Sequence, residues 1–241
     1  MYYWRAKIGM AIPSDGSVTD MEFLKIAPEG VYLATTRILH EERGSFESEY
    51  LLRSAQQIEN AVRILVETEP NVIAVIGDIL PIYLEDADIG ISKRLQKITD
   101  LPILLSLRNE VEAVKALDIK NLAIATPYAE SLNQAFKNFF VRNDVNVVKI
   151  KGLGINKGLE VDKLPPERAY SLSKELFSEA PEADGVLIAC GNFRSLEIIS
   201  RLEEDLRVPV TTANQAAFWA WLRAVKIREP IKGYGKLLEM L

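Results

Sequence analysis

Eight short apolar runs, separated by helical patterns, constrain this chain more than any other feature. They are 6–12, 31–36, 72–76, 102–107, 121–126, 145–150, 185–190 and 209–212. Runs that are apolar almost throughout fit strands buried on both faces, as in parallel sheets. Between them, Leu51, Ala55, Ile58, Val62 and Leu65 fall on one helical face within 47–69, and Leu132, Ala135, Phe136 and Phe139 do so within 128–141. Asn109 and Thr212 read as helix N-caps with reach-back partners at Glu112 and Gln215. Thr126-Pro127 reads as a cap followed by a first-turn proline. Strand–helix alternation of this kind predicts an α/β fold.

The order of features in the first half returns in the second. MAIPS at 10–14 answers to AIATPY at 123–128, VIAVIGD at 72–78 to GVLIACGN at 185–192, and the helix-preceding strand at 101–117 to that at 208–223. This predicts a duplication of a four-stranded βα unit, giving two pseudosymmetric Rossmann-like lobes. The expected division is 1–118, 119–225 and a tail, 226–241, that could pack on the first lobe. Ligands of open α/β sheets sit beyond the carboxyl ends of the strands. Facing lobes would bring four such ends together, at 13–17, 77–80, 126–129 and 190–193. Each precedes a helix, so backbone N–H groups and positive helix ends would offer a carboxylate site.

Composition narrows the chemistry. Among 241 residues there is one cysteine and one histidine, which removes disulfides and Cys- or His-clustered metal sites. The net charge of −5 argues against a nucleic-acid binder. No apolar stretch is long enough to span a membrane and no signal peptide is evident, so a soluble cytoplasmic protein is expected. Homo-oligomerisation is left open. The glycine-bearing segment 152–158 lacks a nucleotide-binding register, and the acidic run at 85–88 reads as a solvated loop. His40, among Glu41, Glu42 and Arg43, reads as solvated, and Phe218, Trp219 and Trp221 as core or subunit-interface residues.

Cys190 closes an apolar strand and precedes Gly191-Asn192 and a helical pattern. A thiol at a helix start has its thiolate stabilised, as a proton-transferring or nucleophilic cysteine requires. A buried, inert cysteine is the alternative. The segment 186–223, with IGMAIPS at 8–14, IATPYAESLN at 124–133 and GYGKLLEML at 233–241, resembles the aspartate/glutamate racemase superfamily, in its arylmalonate decarboxylase and maleate cis–trans isomerase branch. The resemblance implies cofactor-independent lyase or isomerase chemistry at a carbon alpha to a carboxylate of a small organic acid. It implies Cys190 as proton donor or nucleophile, and Gly77 at the place where isomerases and racemases carry a second cysteine. Having one thiol, the chain looks decarboxylase-like.

By the same resemblance Tyr128, Thr126 and the pair Gly191-Asn192 bind substrate, as do Pro13 and Ser14 in the first βα loop. Asn214 joins them, although a capping role for 214–215 fits equally well. After Gly77 the decarboxylase pattern has small hydroxyl residues, whereas this chain has Asp78 and Ile79. Asp78 is then an acid/base opposite Cys190, a charge that changes the substrate, or a helix cap. The alternatives to a lyase are a carboxylate-binding protein without catalysis and a racemase using Asp78 and Cys190 as two bases.

Overall fold

The computed structural model describes residues 3–77, 79, 82 and 89–241. The first half runs β1 (Ala6–Pro13), α1 (Ser17–Ile26), β2 (Val31–Ile38), α2 (Glu41–Gly44), α3 (Ser48–Gln56), α4 (Ile58–Val66), β3 (Val72–Val75), α5 (Ile89–Leu95), β4 (Ile103–Leu105) and α6 (Ser106–Ala116). The second runs β5 (Asn121–Tyr128), α7 (Glu130–Arg142), β6 (Asn146–Ile155), α8 (Gly158–Val161), α9 (Pro166–Ser178) and β7 (Gly185–Ile188). A 3₁₀ turn (Leu196–Ile198) leads into α10 (Ile199–Leu206), β8 (Val210–Thr212), α11 (Ala213–Ala224) and α12 (Lys236–Glu239).

The strands form two four-stranded sheets, ordered β2-β1-β3-β4 and β6-β5-β7-β8, with every pairing parallel. Register carries the duplication. Ile8 pairs with Val72 and Leu122 with Gly185, separations of 64 and 63 residues. All eight expected strands are present. β3 and β7 are buried along their whole lengths, as strands covered on both faces must be.

Three local expectations are corrected. α6 starts at Ser106, so Asn109 lies inside that helix, buried, and is no cap. β5 runs through Pro127 to Tyr128, and α7 starts only at Glu130. The Thr126 hydroxyl therefore accepts from the Tyr128 N–H and donates to Asn133, holding the strand end in place of a helix end. The helical face at 47–69 is continuous, but the helix breaks at Gln57 into α3 and α4. Thr212 does cap α11, accepting from Gln215 N at 3.2 Å.

Helix α11 shows how the two halves are joined. Its residues from Ala213 to Leu222 are all buried, the mark of a helix surrounded by protein. It packs on α6, α1, β3 and β4 of the first half as well as on β8 of its own. Phe23 of α1 meets Trp221 and Phe218 at ring-centroid distances of 4.6 and 5.6 Å, so these aromatics are interior. The tail folds onto α10 and α11: Gly235 N donates to Ser200, Lys236 N to Glu203, and Gln215 to Tyr234 O, while Arg5 pairs with Glu229. Among the described residues no helix is long and apolar enough to cross a membrane.

Candidate active site

The strand ends converge as the sequence predicts. A cavity of about 40 Å³ is lined from the first half by Pro13, Asp15, Gly16, Thr19, His40, Phe46, Ile76, Gly77 and Ile79. From the second half come Tyr128, Gly158, Cys190, Gly191 and Asn192. By volume it has room for roughly three waters.

Cys190 lies two residues beyond β7 and Gly77 two beyond β3. Both have positive φ, +81° and +116°. Glycine adopts that region freely, whereas another residue there costs about 1–3 kcal/mol and survives only where its surroundings impose it. The two turns are thus equivalents, and one carries a thiol in a strained position on the cavity wall. Cys190 is 8% exposed.

Of the other expected site residues, Pro13, Gly77, Ile79, Tyr128, Gly191 and Asn192 share this wall. Tyr128 is buried, its ring set edge-on to Phe46 at 5.2 Å. Three residues are elsewhere. Ser14 is exposed, and its hydroxyl accepts from His40 N at 3.0 Å. Thr126 is buried behind the wall. Asn214 is buried under the loop, donating to Gly191 O at 2.8 Å. Asp78 lies outside the described residues, as does the acidic run at 85–88.

His40 overturns its expected solvation. It is 5% exposed and stands on the cavity wall, with Nδ1 3.0 Å from Asp15 Oδ1 and Nε2 2.9 Å from Ser45 O. The chain reverses just after it through left-handed Glu42 and Arg43, which put their own charges outside and bring Ser45 back over the imidazole. A carbonyl only accepts, so Nε2 carries a proton.

Asn192, from the other half, donates to Asp15 O at 2.7 Å and to Asp15 Oδ2 at 3.4 Å. Gly44 and Gly158 make room for this carboxylate, since a Cβ on either would lie 2.3 or 1.7 Å from Asp15 Oδ2. Asp15, Gly16, Thr19, His40, Phe46, Ile76 and Gly158 line the cavity without having been expected there. The one signal available was that the sole histidine follows a strand end.

The helix start after Cys190 is also not free for an anion. Glu22 of α1, 4% exposed, fills it: Oε1 accepts from Ser195 N and Leu196 N, both at 2.9 Å, and Oε2 from Asn214 Nδ2 at 2.7 Å. Burial pushes the Glu22 carboxyl above its ordinary value, while these three donors and Lys25 pull it back.

Duplicated parallel-sheet lobes with a small cleft that carries one thiol define a two-lobed α/β protein. A family model described as arylmalonate decarboxylase matches residues 9–238, and the chain belongs to that family. It is 24% identical over 237 residues to arylmalonate decarboxylase of Bordetella bronchiseptica, and 25% identical over 248 residues to maleate isomerase of Pseudomonas putida; each alignment covers 96% of both chains. Among solved structures, the maleate isomerase of Pseudomonas putida S16, in a cysteine-to-alanine variant with maleate, superposes with a TM-score of 0.90 at 21% identity, covering 98% of each chain. A liganded double variant of arylmalonate decarboxylase, glycine to cysteine and cysteine to serine, gives 0.89 at 21% identity over 96% of this chain and 98% of its own.

Proposed function

We propose that this chain is a cofactor-independent lyase, a decarboxylase of a small carboxylic acid, with Cys190 as the proton donor. The observation that carries this reading is the pair of equivalent turns. Both strand ends open on one cavity with positive φ, yet only Cys190 brings a proton-transferring side chain of the thiol type, opposite Gly77. Two-thiol inversion needs a thiol on each face. One thiol suffices when carbon dioxide leaves.

In that step a malonate-type acid loses one of its two carboxylates: the bond from the α-carbon to that carboxylate breaks, carbon dioxide departs, and the bond's electron pair passes into the remaining carboxylate as a planar enediolate. The Cys190 S–H gives its proton to that carbon, and the thiolate recovers a proton from water. The family membership and the decarboxylase and isomerase relatives support the chemistry at that level.

A second reading has its own observation. Asp15–His40 places a proton-holding group from the first half on the same wall as Cys190. With it the site has two acid/base groups, as a one-thiol isomerase or racemase needs. Asp78 would serve the same reading from outside the described residues.

The test is a turnover screen of malonates, maleate, hydantoins and amino acids in deuterated water, with wild type and Cys190→Ala. A decarboxylase releases carbon dioxide and leaves one deuterium in the product. A racemase exchanges the α-proton without losing carbon. Cys190→Ala should lower either rate by about 10²–10⁴-fold, the worth of a positioned acid/base. A variant that keeps more than a few per cent of the wild-type rate refutes the role of Cys190.

A further inference from the structure

α1 belongs to the first half, yet its buried face, Thr19, Glu22, Phe23 and Ile26, is spent largely on the second. Phe23 packs on α11. Glu22 reaches the backbone of the loop that leaves Cys190, ending on Ser195 N and Leu196 N. Its other oxygen takes the Asn214 amide, whose Nδ2 also donates to Gly191 O, one residue from the thiol. Gly191 is closed in from both helices: a Cβ there would meet Thr19 Oγ1 at 2.6 Å and Asn214 Oδ1 at 2.8 Å. The loop 190–196 is thus fixed at both ends by one buried carboxylate from the opposite lobe.

A buried carboxylate is expensive to desolvate and persists only when its hydrogen bonds are met. Among the described residues, every hydrogen-bond donor to Glu22 lies on the cysteine loop or on the residue that holds it. The left-handed Cys190 needs such an outside constraint, because nothing in its own backbone preference favours φ of +81°.

We infer that Glu22 is a positioning residue for Cys190: through Ser195, Leu196 and Asn214 it sets the thiol's conformation and its electrostatic surroundings. This rests on Cys190 being the reactive group of the cavity. The clamp also takes up the Ser195 and Leu196 N–H groups.

The chain has one cysteine, so thiol chemistry reports on this residue alone. The experiment is alkylation of the whole protein by iodoacetamide as a function of pH, for wild type and Glu22→Gln, with a thermal melt of each. Glutamine removes a negative charge beside the loop and turns an N–H toward the Asn214 amide. The alkylation midpoint should fall by about half a pH unit or more. Asp15, His40 and Tyr128, which share the cavity with the thiol, are unchanged, so the shift belongs to Glu22. A folded Glu22→Gln protein whose midpoint stays or rises overturns the inference and leaves Glu22 a structural link alone.

Should Glu22→Gln fail to fold, Asn214→Ala provides the second measurement. Hydrogen exchange of peptides covering 190–196 should accelerate at least tenfold, and that in β5 should stay as in wild type. Unchanged exchange at 190–196 overturns the inference as well. Neither readout needs substrate. Loss of turnover in Cys190→Ala is a separate result, so failure of the catalytic reading and failure of the clamp are distinguishable.

Discussion

Gly158→Ala puts one methyl group against the most crowded carboxylate of the cavity wall. The new Cβ would lie 1.7 Å from Asp15 Oδ2, where real Cβ contacts stay beyond 3.0 Å. The carboxyl must therefore retreat by at least 3.0 − 1.7 = 1.3 Å. That is enough to lose the 3.0 Å contact to His40 Nδ1. A hydrogen bond to a charged group is worth about 1.5–3 kcal/mol, and leaving a buried partner unmet adds about 1 kcal/mol or more. The expected cost is about 2–4 kcal/mol. In a chain of this size each kcal/mol moves the melting temperature by about 2–4 °C, so the melt should fall by roughly 4–16 °C. A double-mutant cycle with Asp15→Ala isolates the cause, because in that background the methyl has nothing to displace. The interaction energy should be at least about 1.5 kcal/mol, with Gly158→Ala costing less than about 1 kcal/mol beside Ala at position 15. Additive costs, or a single variant within about 0.5 kcal/mol of wild type, would refute the account of Gly158 as the space for Asp15.

Cys190→Gly should stabilise the fold by about 1 kcal/mol in urea unfolding, because glycine relieves the positive φ. Phe23→Ala should cost about 3–5 kcal/mol and alter the intrinsic fluorescence of Trp221, which it contacts. Glu22, raised above 4.5 in the fold, is less costly protonated than ionised. Its titration therefore favours the folded state below pH 4.5, and that advantage is lost as pH rises through the raised folded value. In paired melts, wild type should lose ground to Glu22→Gln as pH climbs through that window; a constant difference would contradict the sign. From the sequence alone, Asp78→Thr should tighten malonate binding by about tenfold if Asp78 repels the dianion, since relief of 1.4 kcal/mol is a factor of ten, and calorimetry of both proteins decides it.

The inner strands β1, β3, β5 and β7 were legible because they are buried along nearly their whole lengths and so read as almost unbroken apolar runs. Thr212 was legible because its partner Gln215 is local. The cap expectations for Asn109 and Thr126 failed for a common reason: the sheet edge they follow decides where the helix starts, and the sequence pattern does not show the sheet. Thr126 has a cap's hydroxyl, but it serves a strand that continues two residues further. His40 was hidden by its neighbours. Glu41, Glu42 and Arg43 look like a solvated face, and only the left-handed turn separates their exposure from the burial of the imidazole. Asp15 and Glu22 were hidden by distance, their partners Asn192 and Asn214 lying 177 and 192 positions away. Cys190 and Gly77 were found because duplication makes each the other's signpost.

The span between Glu22 and Asn214 also bears on how the protein is made. At about 5–20 residues per second of synthesis, the 192 positions between them take roughly 10–40 s to emerge. For that time a nascent first half holds a carboxylate and Phe23 on α1 with their destined partners on α11 still unmade. Neither half can close its interior alone. An interrupted chain would present a sticky helix face to the surrounding folding machinery, and the thiol would acquire its setting only once α11 has been made.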